Sequence, residues 1–231
     1  LEAGVPVLVI NTRGHDLIHS AAINNRPVRL GAAYEIVSEC VYDLTAWLDF
    51  LTTRGFPRVG LIGHSLGAVK SIYTLAETHH QAAACLLAIS PPRLSYEAFR
   101  EGPQAETFLS DYGTAERHVA GDQGETLIDV TFPLPYPISA RGFLDKYGPE
   151  EKYNLLHLVD RLTVPALFVY GSLETQSSVA FRGVPELLEG RLPDAASRVA
   201  TVAGADHFYA GCRKELLARI TSWLGRTIPR T

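Results

Sequence analysis

Apolar residues occur along this chain in short continuous runs, separated by stretches in which they recur every three or four positions. Runs of this kind, without polar interruption, are typical of strands buried on both faces of a sheet. They lie at residues 5–10, 59–62, 83–90, 166–170 and 198–202. Apolar residues recur every three or four positions, as in a helix, at residues 34–51, from 66 to about 78, and at 184–188 and 215–224. The pattern predicts an α/β fold with a doubly wound, mostly parallel sheet covered by helices on both faces.

Residues 93–150 interrupt this alternation. They contain short polar helical segments, a glycine-containing turn at 121–124 and a proline-rich stretch at 131–139. An insertion after a strand of a doubly wound sheet lies over the edge where ligands bind. We therefore expect one domain over 1–231, with a core of 1–92 and 151–231 and a lid of about 93–150. A surface insertion without function is the alternative.

The strongest local signal is the pentapeptide Gly63-His64-Ser65-Leu66-Gly67, which joins a predicted strand to a predicted helix. A serine at the apex of such a turn is held in a strained backbone conformation, and the two glycines avoid side-chain clashes. The turn also places the hydroxyl at a helix N-terminus, where backbone N–H groups stabilise negative charge. The motif predicts Ser65 as a nucleophile and the N–H of Leu66 as an oxyanion donor. The alternative is a glycine-rich turn with an ordinary serine.

An activated serine needs a base and a third group that orients the base. His207 follows the last predicted strand, and parallel strands end at the same edge of the sheet. Glu174 follows the predicted strand at 166–170 and is the predicted acid. Asp206 is adjacent to His207 and cannot easily turn back onto its ring, while Asp160 precedes its strand and belongs to the opposite edge.

Composition restricts the partners of the chain. It has 231 residues, of which 46% are hydrophobic and 20% charged, and a net charge of −4. There is no run of basic residues, which argues against nucleic-acid binding, and no apolar stretch of 18 residues that would predict a membrane span. Cys40, Cys85 and Cys212 are far apart, and neither a disulfide framework nor metal-ligand spacing is predicted. We expect no metal and no cofactor, and a cytoplasmic location.

With these motifs, the chain resembles the α/β-hydrolase superfamily over nearly all of its length. In particular, it resembles bacterial members to which no substrate is assigned. Residues 63–67 resemble the nucleophile elbow, and residues 11–16 resemble the loop after the family's fourth strand. Residues 164–165 and 171–174 are similar to the loop of the catalytic acid, although aspartate is commoner there than Glu174. Residues 204–207 match the histidine loop, and 91–150 occupy the position of the lid.

The resemblance also implies elements that this sequence does not contain. The family has three strands before the one predicted at 5–10, and a His-Gly loop after the third strand that supplies a second oxyanion donor. The chain starts at Leu1 and contains no methionine. We therefore expect that the N-terminal strands of the fold are missing from the sequence.

These features together predict hydrolysis of an ester, thioester or amide through an acyl-enzyme on Ser65, with a small-molecule acyl substrate. His64, Tyr136 and Phe143 are candidate substrate contacts, although aromatic residues of the lid could instead pack it onto the body. Acyl transfer, C–C bond hydrolysis and perhydrolysis use the same three residues and stay open. So does a binding protein without turnover. The sequence does not predict the oligomeric state.

Overall fold

The computed structural model describes residues 6–228. Eight strands are present in this range: β1 (His19–Ile23), β2 (Arg26–Leu30), β3 (Val59–His64), β4 (Ala83–Ile89), β5 (Leu127–Val130), β6 (Tyr136–Ser139), β7 (Ala166–Gly171) and β8 (Arg198–Val202). The helices are α1 (Cys40–Thr53), α2 (Leu66–Thr78), α3 (Tyr96–Arg100), α4 (Ala105–Ala120), α5 (Ala140–Tyr147), α6 (Leu155–Leu158), α7 (Ser172–Ser177), α8 (Val184–Glu189) and α9 (Arg213–Thr227). Single 3₁₀ turns lie at Val37–Glu39 and Val159–Arg161. None of the helices described is long and apolar enough to cross a membrane.

The central sheet contains four parallel strands in the order β3-β4-β7-β8. All six residues of β7 are buried, as expected for an interior strand whose two faces are both covered. Helix α2 packs against β3 and β4, and α9 packs against β7. The predicted fold class is confirmed, and the carboxyl ends of the four strands lie at one edge of the sheet.

Alternate residues of the strands build the core between the sheet and α9. They pack with the helix side chains Ile220 and Trp223 and with Tyr209. The strand residues of this cluster are Cys85, Leu87, Ile89, Leu167, Val169 and Val202. Because successive side chains of a strand point to opposite faces, this set fixes the register of the sheet against the helix.

The strand predicted at residues 5–10 is wrong for residues 6–10, which are irregular, while Val5 lies outside the described residues. Val7 and Val9 are 61% and 87% exposed. An apolar run becomes a strand only where a neighbour pairs with its backbone. No described strand pairs with this segment, and β3 is an edge strand of the central sheet.

The helix predicted from residue 34 begins later, with a 3₁₀ turn at Val37 and the α-helix at Cys40. The cause is long-range capping by side chains. The N–H of Val37 donates to Oδ2 of Asp145 at 3.1 Å, and the N–H of Ser38 donates to the hydroxyl of Tyr153 at 2.9 Å. Since the first N–H groups of a helix have no intrahelical acceptor, these partners fix where the helix begins.

Residues 17–33, which lie outside the strands and helices predicted from the sequence, contain the β1–β2 hairpin. Its two-residue turn is formed by Asn24 and Asn25, with φ 51° and 61°. Positive φ at both central positions is typical of a type I′ turn, which asparagine tolerates well. The Asn24-Asn25 pair therefore forms the turn of this hairpin.

The described residues form two compact units. The first comprises residues 6–9, Leu44–Arg93 and residues 154–228, and it contains the parallel sheet. The second comprises Ile10–Asp43 and Leu94–Tyr153. It contains the β1–β2 hairpin, an antiparallel β5–β6 hairpin and an aromatic cluster that includes Phe99, Phe108, Phe132, Phe143 and Tyr147. Of the lid predicted at about 93–150, residues 94–150 belong to the second unit, and their role as a lid stays a prediction.

Candidate active site

The turn that carries Ser65 joins β3 directly to α2. Ser65 has φ 55° and ψ −126°, a conformation that costs a non-glycine residue on the order of 1–3 kcal/mol. A side chain at Gly63 is excluded, because a Cβ there would lie 2.3 Å from the carbonyl oxygen of Gly67. The strained backbone predicted for Ser65 and the need for Gly63 are confirmed. The steric reason predicted for Gly67 is wrong, because its carbonyl makes the close approach and a Cβ on it would meet open space.

The surroundings of Ser65 leave its hydroxyl without a hydrogen bond among residues 6–228. Its N–H donates to the carbonyl of Ile89 on β4 at 2.9 Å, which anchors the turn to the sheet. The N–H of Leu66 is the first of α2, and the first N–H groups of a helix have no acceptor within it. A hydroxyl and a backbone donor are thus available side by side at the sheet edge.

Glu174 is a buried carboxylate, 4% exposed, and it is the third residue of α7, which directly follows β7. Its Oε1 accepts hydrogen bonds from the N–H of Gly171 at 2.7 Å and from the hydroxyl of Ser90 at 2.6 Å. Its Oε2 lies 2.7 Å from Nδ1 of His207. Gly171 permits this packing, because a Cβ there would lie 2.4 Å from the carbonyl oxygen of Ala205. Three donors on two oxygens fix the orientation of the carboxylate.

His207 lies in the loop after β8, and its Nδ1 faces Glu174. Because a carboxylate accepts, the imidazole with Nδ1 protonated is the tautomer that fits, and its Nε2 keeps a lone pair. The rings of Phe181 and Phe208 each lie 5.2 Å from the His207 ring. An imidazole held in this way is suited to accept a proton at Nε2.

The competing acids have other roles. Oδ1 of Asp206 accepts from the N–H groups of Phe208 and Ala210, both at 3.0 Å, so it stabilises the turn of the histidine loop. Asp160 lies before β7 and accepts from Nη1 of Arg191 at 3.3 Å. Neither is bonded to the His207 ring, whereas Glu174 is.

His64, the last residue of β3, is turned toward the histidine loop. Its Nε2 lies 2.8 Å from the carbonyl oxygen of His207, so Nε2 carries a proton and donates. The two rings lie 4.7 Å apart at 40°. Partial burial lowers the pKa of His64, and the hydrogen bond to the carbonyl offsets only part of that effect. The prediction that His64 contacts a substrate stays a prediction.

Ser90 and Tyr209 belong to the site but were not among the predicted residues. Ser90 is fully buried at the end of β4, and its hydroxyl lies 3.0 Å from that of Tyr209. The hydroxyl of Tyr209 donates to the carbonyl of Val169 at 3.1 Å. Together they support Glu174 from inside the protein. The signal in the sequence is a serine directly after a fully apolar strand.

Tyr136 and Phe143 lie in the second unit. The hydroxyl of Tyr136 accepts from Nζ of Lys146 at 3.1 Å. Phe143 is fully buried, with its ring 5.0 Å from that of Tyr147. These contacts account for the packing of both side chains within their unit, and a role in substrate binding stays a prediction.

The three predicted catalytic residues follow the carboxyl ends of three parallel strands: Ser65 after β3, Glu174 after β7 and His207 after β8. Glu174 and His207 are joined by a hydrogen bond. The structure shows no bond from the Ser65 hydroxyl to the His207 ring in the part of the chain that it describes. Within the same range, no group of three or more His, Cys, Asp or Glu residues is positioned to hold a metal ion.

Comparison with known proteins gives no match to a protein-family model and no significant match to a curated protein. Solved structures do match. Est1E from Butyrivibrio proteoclasticus is 15% identical, with a TM-score of 0.60, and the match covers 87% of this chain and 74% of Est1E. The α/β hydrolase GrgF from Penicillium sp. sh18 is 12% identical, with a TM-score of 0.63 and coverages of 88% and 77%. The chain has the α/β-hydrolase fold.

A third similar structure of this fold is the monoacylglycerol lipase of Paleococcus ferrophilus. It is 16% identical, with a TM-score of 0.57, and the match covers 81% of this chain and 76% of the lipase. At such identities the similarity is one of fold, and the activity has to be argued from the site.

Proposed function

We propose that this protein is a serine hydrolase that cleaves a carboxylic ester, or a related thioester or amide, through an acyl-enzyme on Ser65. The observation that carries the proposal is the 2.7 Å contact between Oε2 of Glu174 and Nδ1 of His207. This contact lies at the same edge of the sheet as Ser65, which follows β3 in a strained turn. A nucleophile, a base and a group that orients the base are the parts that this chemistry requires.

In the proposed reaction, the Ser65 hydroxyl oxygen attacks the substrate carbonyl carbon while Nε2 of His207 takes the hydroxyl proton. Glu174 holds the imidazole in the required tautomer and stabilises the imidazolium that forms. The N–H of Leu66 donates to the oxyanion of the tetrahedral intermediate. The intermediate collapses when His207 returns the proton to the leaving group. Water then attacks the acyl-enzyme by the same route, which releases the acid and restores Ser65.

Esters are the first substrates to test. One of the similar solved structures is a monoacylglycerol lipase, and an alkoxide or phenoxide leaves more readily than an amide nitrogen. This supports the choice by analogy of fold alone.

The test is covalent labelling with a fluorophosphonate probe, followed by intact-mass spectrometry of the wild-type protein and of Ser65→Ala. We expect one adduct on the wild type and none on the variant. Ser110→Ala, which removes an exposed hydroxyl on α4, should be labelled like the wild type. Aryl ester turnover should fall at least about a thousandfold in Ser65→Ala. Labelling or turnover that survives in Ser65→Ala contradicts the proposal.

A further inference from the structure

The guanidinium of Arg93 has no carboxylate partner among the described residues. Its Nε is buried and has no hydrogen-bond partner, and its guanidinium makes no ion pair or hydrogen bond with any residue in the range 6–228. Several other arginines do have such a partner, since a carboxylate contacts each of Arg13, Arg141, Arg161, Arg191 and Arg219. Burying part of a charged group without a partner is unfavourable, and such a group in a native protein calls for an explanation.

The segment that carries Arg93 is fixed in place. It follows β4, at the carboxyl edge of the parallel sheet. The carbonyl of Pro91 accepts from the hydroxyl of the buried Tyr170 at 3.1 Å. The N–H of Arg93 donates to the carbonyl of Ala180 at 2.7 Å. Backbone held at two points in this way makes the position of Arg93 a defined feature of the fold.

The same segment is tied to the candidate active site on both sides. Ser90, three residues before Arg93, donates to Glu174 at 2.6 Å, and three residues span at most about 11 Å. The acceptor of the Arg93 N–H is the residue just before Phe181, whose ring lies 5.2 Å from the ring of His207. The backbone of Arg93 therefore lies within a few residues of contacts to Glu174 on one side and to the His207 ring on the other.

We propose that Arg93 binds an anionic group of the substrate, a carboxylate or a phosphate, so that the site prefers acyl substrates with a negative charge away from the scissile bond. This inference rests on the proposed function of Ser65. A guanidinium presents a planar fork of N–H donors that matches a carboxylate or phosphate in two parallel hydrogen bonds. With a net charge of −4, the protein as a whole does not attract anions, so the preference depends on this side chain.

The test uses matched substrates: an aryl half-ester of adipic acid with a free carboxylate, its neutral methyl ester, and an aryl ester of a phosphonoalkanoic acid. In the wild type we expect kcat/KM at least about tenfold higher for a charged ester than for the neutral one. In Arg93→Gln the ratio should fall to about one, and Arg93→Lys should keep part of it. The matched control is Arg182→Gln, which removes the same charge from an exposed residue beside Phe181 and should keep the wild-type ratio.

The two charged esters separate the two anions, because the preferred one identifies the group that Arg93 binds. A wild type without preference, or an Arg93→Gln variant that loses activity equally toward all three esters, overturns the inference. The second result assigns Arg93 a structural role.

Binding without turnover separates this inference from the proposed function. Isothermal titration of Ser65→Ala with adipate and with a phosphonoalkanoate should give a dissociation constant that rises at least about tenfold in Ser65→Ala/Arg93→Gln. If that holds and the wild type turns over no ester, the anion site stands and the hydrolase proposal fails. If Ser65-dependent turnover exists and neither binding nor rate depends on Arg93, the hydrolase stands and the anion site fails.

Discussion

Ser65 and Ser90 occupy equivalent places on neighbouring strands. Each directly follows a strand of the parallel sheet, and their φ angles are 55° and 47°. Each donates its N–H to the next strand, Ser65 to the carbonyl of Ile89 at 2.9 Å and Ser90 to that of Val169 at 2.7 Å. Strained backbone and a place at the carboxyl edge of the parallel sheet are thus common to both serines.

The two serines differ in the burial and hydrogen bonding of their hydroxyl groups. Ser90 is fully buried and donates to Glu174, whereas Ser65 is partly exposed and its hydroxyl has no bond among the described residues. Ser65 is followed by the first N–H groups of α2, whereas Ser90 is followed by Pro91 and Pro92, which have no N–H. Of the two serines, only Ser65 therefore has both the free hydroxyl and the neighbouring N–H donor that the proposed reaction requires. Strain alone does not identify a nucleophile.

Replacing each serine by glycine gives the largest contrast. Ser65→Gly relieves the positive φ, so the free energy of unfolding should rise by about 1 kcal/mol, while ester turnover falls at least about a thousandfold. Ser90→Gly relieves similar strain but removes one of the three donors to the buried carboxylate of Glu174, so this variant should be less stable than wild type. Urea unfolding and ester kinetics measure both effects. A Ser65→Gly protein less stable than wild type contradicts the assignment of strain to this turn.

Glu174 connects the two serines, because Ser90 donates to its Oε1 and its Oε2 contacts His207, the proposed base for Ser65. Glu174→Gln keeps the shape and removes the charge that stabilises the imidazolium. We expect kcat/KM for an aryl ester to fall by about a hundredfold to ten-thousandfold. Glu186→Gln, at an exposed position of α8, is the control and should leave the rate unchanged. A Glu174→Gln enzyme within threefold of wild type would exclude Glu174 as the orienting acid.

The turn at Ser65 could be predicted from the sequence because its signals are local: a glycine two residues before the serine, an apolar strand before it and helical periodicity after it. Glu174 and His207 could be placed at the same edge because each follows an apolar run, and parallel strands end together. The bond between them, at 2.7 Å, depends on side-chain positions that no local pattern encodes. The support from Ser90 and Tyr209 is of the same kind, since it joins residues 119 positions apart.

Local signals failed where a distant partner decides the structure. Residues 5–10 and β7 are both continuous apolar runs, yet β7 is buried between two strands, and residues 6–10 pair with no described strand. The start of α1 depends on Asp145 and Tyr153, about a hundred residues away. The β1–β2 hairpin is different, because its Asn24–Asn25 turn is a local signal that could have been interpreted correctly.

A smaller loss of activity should distinguish Ser90 from a buried serine that does not contact the candidate active site. Ser90→Ala leaves Oε1 of Glu174 with one donor fewer, so we expect a loss of about 1–3 kcal/mol of stability and about a tenfold lower kcat/KM. The matched control is Ser197→Ala, also fully buried, whose hydroxyl accepts from the N–H of Ala166 at the far end of β7. It should lose similar stability and keep its activity. Equal activity in both variants would show that Ser90 does not act through Glu174.

The residues directly before the two serines, His64 and Ile89, also differ, and variants of His64 should have the smallest effects. Ile89 packs into the core, whereas His64 donates to the carbonyl of His207 at 2.8 Å and has a lowered pKa because of partial burial. As the pH falls through about 6.5, the unfolded chain therefore binds a proton before the folded protein does, and stability is lost. His64→Gln and His64→Asn cannot titrate, so both should lose less stability than wild type between pH 7 and pH 5.5 in urea unfolding.

The same two variants should differ in activity, because the longer Gln can still donate to the carbonyl of His207, and the shorter Asn cannot. We expect Gln to keep kcat within about threefold of wild type and Asn to lose about tenfold with little change in KM. If Gln and Asn lose activity equally, the hydrogen bond from His64 does not position His207; if neither changes the pH dependence, His64 does not titrate in this range.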